Sequence, residues 1–439
     1  MRVAAACLVI LLCSPAVAER DRQAEPAGDS EPPALTTARW KEPPVPLDLH
    51  WQILAVPETV VELAFTPIAL LVTAFERYRL DRRIYDLLRN DAGTIVFTPR
   101  VKFSGSDGLG GGGKLSFKRL TTDESKLAFG GIARLNGDYE LVSNYEQIVA
   151  NLEGRAVVVG VEYELDQDLP YYGIGDETDN RHVLLERRLR AGLDVELTGR
   201  GTTTIRGIAR LGYLRDELTT GVAGGTSIPV EDVPGLEVTL PPGFDATVNY
   251  ARLELELDID TRDTEHITSR GILARLIGSG SLSSDDAPTS GGRVIADFDW
   301  YWQVLPRKRV LVFSLGAGAA ALLGQDDDVP LHELITLGRK DHLRGYSRGR
   351  LRDRYGWWTS IEYRYPIWEY QATGASLIPV VFADMGKVAG DFADLASGVV
   401  YYDAGFGIRG EHYNHFFFSF ELGFSPEGPE LGFSLGSDL

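Results

Sequence analysis

Between Arg252 and Asp260 the chain alternates without a break. Leu253, Leu255, Leu257 and Ile259 fall on one side, and Arg252, Glu254, Glu256, Asp258 and Asp260 on the other. Successive side chains of an extended strand point to opposite faces, so this stretch is a strand with one apolar wall and one charged wall. In a soluble sandwich the leucines would face a core and the charges water. In a membrane barrel the leucines face lipid and the charges line the lumen. The alternation alone fits both.

Strand-like segments of this kind recur to the end of the chain. The spacing predicts sixteen, over 94–104, 114–121, 126–135, 139–149, 155–166, 183–198, 203–216, 247–260, 268–282, 293–305, 308–322, 356–366, 376–386, 399–410, 416–425 and 430–437. Two patterns favour the barrel. Val294, Ala296, Phe298, Trp300 and Trp302 share a face opposite Asp297, Asp299 and Gln303, and Phe416, Phe418, Phe420, Leu422 and Phe424 oppose Ser419 and Glu421, which suits aromatic girdles at membrane interfaces. Short turns such as Thr122–Ser125 and Gly199–Thr202 interleave with long connections such as Asp166–His182, Asp216–Ala246 and Leu323–Tyr355, the pattern of short periplasmic turns and long outer loops. Beyond the N-terminus no apolar run reaches the roughly 18 to 20 residues of a membrane-spanning helix. Thr59–Phe75 comes closest and contains Glu62 and Pro67. The expected fold is therefore all-β, a 16-stranded antiparallel transmembrane β-barrel over residues 94–439.

Ahead of it the chain reads as three pieces. Residues 1–18 have a basic start at Arg2, an apolar run from Val3 to Leu12 and the small-x-small site Ala16-Val17-Ala18, the pattern of a signal peptide. Cys7 and Cys13, the only cysteines, would leave with it, so no disulfide, thiolate nucleophile or cysteine metal site is expected in the mature chain. Residues 19–56 are Pro-rich and charged, a tether. Residues 57–93 read as a short helical periplasmic segment, with Leu80, Ile84, Leu87 and Leu88 on one face and Arg79, Arg82, Arg83 and Arg89 around the other. It either leads into the barrel or lies as a basic amphipathic helix on a membrane opening.

The formal charge is -19, which argues against a nucleic-acid partner. Against that balance Pro330–Ile367 stands out. It holds Arg339, Lys340, Arg344, Arg348, Arg350, Arg352 and Arg354 and runs straight into a strand. Its tip, Leu343-Arg344-Gly345-Tyr346, is followed by Glu362-Tyr363-Arg364-Tyr365-Pro366 and then by Phe382-Ala383-Asp384-Met385-Gly386. In that order these motifs resemble the BamA/TamA superfamily of outer-membrane barrels, the bacterial surface antigen family. The resemblance is specific from Leu334 to the C-terminus. It implies that the loop folds back into the lumen and is latched there by Arg344, Gly345 and Tyr346 with Glu362, Asp384 and Gly386, Arg344 pairing with Asp384. It also implies insertion or translocation of proteins or lipids at the outer membrane. The expected partners are outer-membrane lipids and lipopolysaccharide, a client outer-membrane protein or lipid, and a periplasmic partner. The stretch before residue 93 is too short for the family's periplasmic POTRA repeats, so the resemblance is to a short member. The ending Gly436-Ser437-Asp438-Leu439 departs from the aromatic end usual in the family.

Three other motifs suggest chemistry without its context. Gly345-Tyr346-Ser347-Arg348-Gly349 matches the G-x-S-x-G elbow, but no apolar helical pattern follows to lift Ser347 toward a base. Gly108–Gly113 matches G-x-G-x-x-G, but a strand follows, so the run reads as a flexible turn with no helix N-terminus for a phosphate. His412 and His415 flank a turn without a third ligand nearby in sequence. No catalytic residue, metal or cofactor is expected. A passive pore or structural surface barrel, and an outer-membrane lipolytic enzyme, remain as alternative readings.

Overall fold

The computed structural model describes residues 88–439, apart from 105–107, 149–154, 176–181, 200–202, 224–225, 228–239, 241, 265–267, 285–288, 306–308, 324–328, 340–341, 367, 371–374, 413–414 and 436–439. The expected signal peptide and tether, and nearly all of the expected helical segment, lie outside the described residues. Residues 88–93 form a turn and an isolated bridge.

Sixteen strands make one closed antiparallel wall. They are β1 Ile95–Ser104, β2 Gly108–Lys118, β3 Ser125–Arg134, β4 Tyr139–Ile148, β5 Arg155–Tyr171, β6 His182–Gly199, β7 Thr204–Thr220 and β8 Ala246–Asp260, then β9 Gly271–Ser283, β10 Gly291–Leu305, β11 Arg309–Leu322, β12 Tyr355–Arg364, β13 Ala375–Ala389, β14 Tyr401–His412, β15 His415–Ser425 and β16 Gly428–Leu435. Trp368–Tyr370 continues β12 beyond Pro366 and stays paired to β13. Each strand pairs with the next, and β1 pairs with β16. No helix among the described residues is long and apolar enough to cross a membrane.

The faces separate as the alternation requires. On β8 Leu253, Leu255 and Leu257 are exposed on the outside, while Asp258 is buried within. Phe298, Trp300 and Trp302 of β10 are likewise exposed, with Trp300 and Trp302 stacked at 5.9 Å. Large apolar side chains facing outward over a whole wall need an apolar solvent, which decides the choice that alternation left open.

One strand begins earlier than expected. β2 starts at Gly108, so Gly108–Gly113 is part of the wall and not a turn. A Cβ on Gly112 would lie 1.9 Å from the Gly131 carbonyl oxygen, and one on Gly113 would strike the Phe97 ring at 2.5 Å. Glycine's low strand propensity hid a strand whose neighbours approach too closely for any side chain.

Closure is uneven. β16 is 8 residues long and β1 is 10, whereas β5 to β7 have 17 or 18. Among the described residues, Phe103 with Leu435 and Ser104 with Ser434 are in register across the seam. Below them β1 runs on beside no described strand. Its edge is nonetheless not bare. The Ile95 carbonyl accepts from the Asn90 N–H at 3.1 Å, the Ile95 N–H donates to Asn90 Oδ1 at 2.9 Å, and Arg89 bridges to Val96. The Thr94 carbonyl accepts from Lys118 of β2, so even-numbered residues of β1 turn to β2 and odd-numbered ones to the seam. Pro99 is odd and removes one donor from that edge, a way of blunting strand addition.

The long connections gather at one rim and roof it. Residues Val329, Leu331 and Leu334 pack with Leu169, Tyr171, Leu184 and Leu218 under the ends of β5 to β7. The Gly175 N–H donates to the Arg352 carbonyl, tying the connection after β5 to the connection after β11. A lipid-facing cation tests the membrane assignment: Leu255→Arg is expected to cost about 2 to 4 kcal/mol. The folded fraction, read as heat-modifiable gel migration, should fall sharply for it and remain near wild type for the lumenal change Asp299→Asn.

Candidate functional site

The connection from β11 to β12, residues 323–354, turns inward and is held at two places. The inner hold centres on Arg344. His342 and Leu343 both adopt left-handed backbone angles, φ 66° and 57°, an uncommon conformation for residues with a Cβ and one that persists only when surroundings over-determine it. Here Leu343 is fully buried with Ile335, Leu337, Tyr346, Leu351, Trp358 and Val388. That reversal points Arg344 at the wall formed by β12 to β15.

The guanidinium fits its partners as a fork. Nε donates to Asp384 Oδ2 and Nη2 to Asp384 Oδ1, both at 2.8 Å, while the Arg344 backbone N–H also donates to Oδ2 at 3.1 Å. Nη1 bonds Glu362, and Nη2 donates to Ser360 Oγ at 3.0 Å. The guanidinium carbon sits 3.6 Å from the centre of the Phe382 ring, adding a cation–π face. Glu362 is shared. Arg409 donates to both its oxygens at 3.0 and 2.9 Å and Arg364 to Oε1 at 2.7 Å, and Arg409 reaches on to Glu421 at 2.7 Å. The Arg344 loop is thereby joined to side chains from four adjacent strands.

The glycines of both motifs have a steric cause. A Cβ on Gly345 would lie 2.6 Å from the Asp403 side chain, and one on Gly423 of β15 would lie 2.6 Å from the Gly345 Cα, so the loop tip rests on the wall glycine to backbone. A Cβ on Gly386 would press the Trp357 carbonyl at 2.9 Å and the Leu337 side chain at 3.1 Å. The Tyr346 hydroxyl donates to the Tyr402 carbonyl at 3.2 Å, and its ring meets Tyr401 edge-on at 5.7 Å. The structure thus brings all six residues singled out from the motifs, Arg344, Gly345, Tyr346, Glu362, Asp384 and Gly386, to one place.

The second hold was not visible in the motifs. A short 3-10 helix, Leu331–Glu333, carries Glu333 into the lumen with no exposed surface. Ser281 Oγ donates to Glu333 Oε1 at 2.7 Å, Ser279 Oγ donates to Oε2 at 2.5 Å, and Arg252 forms an ion pair with it. Arg293 adds a contact at 3.6 Å and His332 bonds Ser281 at 3.0 Å. The signal available was indirect: an acid between leucines, and serines and arginines on the lumenal parity of β8 and β9. Arg409 and Glu421 were legible in the same way, as charges on the lumenal face of their strands.

Ser347 is followed by a turn and by the short strand Leu351–Asp353, not by a helix, and its Oγ lies 3.5 Å from Glu430 Oε2. The elbow geometry is therefore not formed around it.

A closed sixteen-stranded wall with an inward-folded loop defines an outer-membrane β-barrel of the kind that holds a connection inside its own lumen. The family model of the Omp85 superfamily domain matches residues 186–436, more than half the chain, and the protein belongs to that superfamily. Among solved structures it is similar to BamA from Haemophilus ducreyi lacking POTRA domains 1-3, at TM-score 0.59 and 14% identity, over 78% of this chain and 70% of that one. It is also similar to CdiB from Escherichia coli, at TM-score 0.52 and 13% identity, over 77% of this chain and 62% of that one. At such identities the likeness is one of fold. No curated protein sequence matches the chain.

Two outcomes follow from the two holds. Removing one member of a buried ion pair typically costs about 3 to 5 kcal/mol, less where lumenal water screens the orphaned charge. Arg344→Ala and Asp384→Asn should each lower the heat resistance of the folded form, with strong coupling in the double mutant, and Arg344→Lys should rescue only in part because an ammonium cannot make the fork. Glu333→Gln should leave the Arg344 hold intact and raise protease cleavage in the connection near residues 323–334 selectively.

Proposed function

We propose that this barrel moves a protein or lipid client into or across the outer membrane by opening sideways at the β1–β16 seam, with the 323–354 loop as an internal latch. The observation that carries the reading is the seam. Among the described residues it is joined by two register pairs, whereas β5 and β6 pair from Arg155 to Tyr171 with one irregularity between Asp166 and Leu169. Opening there would break fewer of the described ladder bonds than opening between any other two strands of this wall. The strands there are also short. Among the described residues β16 has 8 and β1 has 10, against 17 or 18 in β5 to β7.

A passive pore is the weaker reading, because the long-loop rim is roofed by the cluster around Tyr171 and Leu331 and the lumen is occupied by the loop. By the outer-membrane rule the long-loop rim is the outer one, which places both ends of the barrel domain toward the periplasm. In this reading residues 1–18 direct secretion in a Gram-negative cell, and residues 19–93 are the segment available to recruit a client or a periplasmic partner. Arg344, Gly345, Tyr346, Glu362, Asp384 and Gly386 act as the latch. They hold the loop against β12 to β15, next to the seam, so that seam opening and loop position are mechanically linked. Lipolysis finds no support at Ser347.

The turn at Leu88–Gly93 adds a condition. For β1 to accept a client strand along its lower edge, the bonds from Asn90 to Ile95 must first be released. Ser104 and Ser434 form a pair whose backbones do not bond each other, the closer of the two antiparallel pair types and suited to a disulfide. Ser104→Cys with Ser434→Cys, oxidised in proteoliposomes, should abolish client insertion or passage while leaving heat-resistant folding unchanged, and reduction should restore it. Undiminished client insertion or passage through the locked seam would refute lateral opening.

A further inference from the structure

On β13 the residues alternate between two surroundings. Val380, Phe382, Asp384 and Val388 are buried on the lumenal side, whereas Val381 and Met385 are exposed on the outer face. Parity puts Lys387 on that outer face as well. Lys387 is nevertheless buried, at 6% relative exposure. The connection 390–400, which contains the short 3-10 helix Phe392–Ala396, folds back over it, and the ammonium nitrogen lies 3.3 Å from where a Cβ on Gly398 would be. Gly398 has φ +80°, a backbone conformation that glycine adopts without strain.

This cation has no counter-charge of its own. Among the described residues Lys387 takes part in no ion pair or hydrogen bond, and Asp391 and Asp394, the acids of the covering connection, are exposed to solvent and do not pair with it. The outward-facing Arg309 at the opposite rim shows the usual remedy, since its guanidinium stacks 4.3 Å over the Tyr365 ring. A side chain this covered, whose ammonium has neither an acidic partner nor an aromatic face, leaves a cation at the outer rim that an anion from outside the chain can meet.

The surroundings say from where. Trp357 of β12 is the register partner of Lys387. Tyr402 of β14 is 58% exposed, and Phe392 and Val399 of the covering connection are 73% and 62% exposed, Phe392 meeting Tyr355 edge-on at 5.9 Å. Exposed aromatic and apolar side chains at a strand end mark the membrane–water boundary, where acyl chains meet the first and headgroup phosphates meet a single basic group. We propose that Lys387 and the 390–400 connection form a binding site for the phosphorylated headgroup of an outer-leaflet lipid, with Phe392, Val399 and Tyr402 against its acyl chains.

The test uses the full chain in detergent micelles with bisphosphorylated lipid A, read by native mass spectrometry for retained lipid and by the thermal unfolding midpoint. Wild type and Lys387→Arg should retain the lipid and gain stability from it. Lys387→Gln, shown to be folded by its heat-modifiable migration, should retain it about tenfold less well, and dephosphorylated lipid A should bind wild type as weakly as the phosphorylated form binds that variant. Equal retention by wild type and Lys387→Gln would overturn the site. So would an equal midpoint rise with inorganic phosphate alone, which would make the ligand a free anion. If Asp391→Asn with Asp394→Asn lowered the lipid-free midpoint as much as Lys387→Gln, the counter-charge would be the chain's own and the proposal would fail.

Discussion

A guanidinium buried against two carboxylates is the contact on which the interior of this barrel depends. Arg344 alone would be an expensive charge to place in a lumen. With Asp384 and Glu362 in fork geometry, and with Arg364 and Arg409 sharing Glu362, positive and negative groups alternate and each satisfies its neighbours. Such a network does not need to add much net stability to matter. It makes one loop position far better than the alternatives, because any displacement leaves charges unpaired on both the loop and four strands. The hydrophobic cluster around Leu337, Leu343 and Tyr346 then packs a loop whose register the ion network has already set.

The wall distributes its stability in the opposite sense to the loop. β5 to β8 are long, in register over most of their length and laced by cross-strand pairs such as Arg206 with Asp258 and Arg210 with Glu254. Among the described residues the seam carries two register pairs. Local opening begins where few backbone bonds must break, and in the function proposed above that place is the β1–β16 side, with the Arg344 loop held on the strands that lead to it. The glycines of β2 extend this weakness one strand further round, since they forgo side-chain packing on both faces.

Much of this was legible from residue order. Alternation on Arg252–Asp260 and Val294–Trp302 located strands and separated faces, because period two follows from extended backbone geometry wherever the strand ends up. The count of sixteen came from the same pattern. The Arg344 partners were legible only through motif resemblance, since Glu362 and Asp384 carry no local sign of the loop they meet. Gly108–Gly113 misled, because low strand propensity is a statement about average surroundings, and the close approach of Gly112 to Gly131 is not average. Glu333 was passed over for a related reason: a lone acid among leucines reads as an exposed interruption until Ser279, Ser281 and Arg252 are seen around it.

Sequence by itself determined the alternating walls, the approximate strand boundaries, the acidic balance and the basic loop, all of which depend on neighbours within a few positions. Only the tertiary structure decided that the leucine wall faces outward, that among the described residues the seam is joined at Phe103 and Ser104, that Asn90 and Pro99 blunt the edge beneath it, and that Lys387 lies covered without an acidic partner. These depend on which distant strands meet and at what stagger. Closure of the barrel settles that, and the order of residues along any one strand does not contain it.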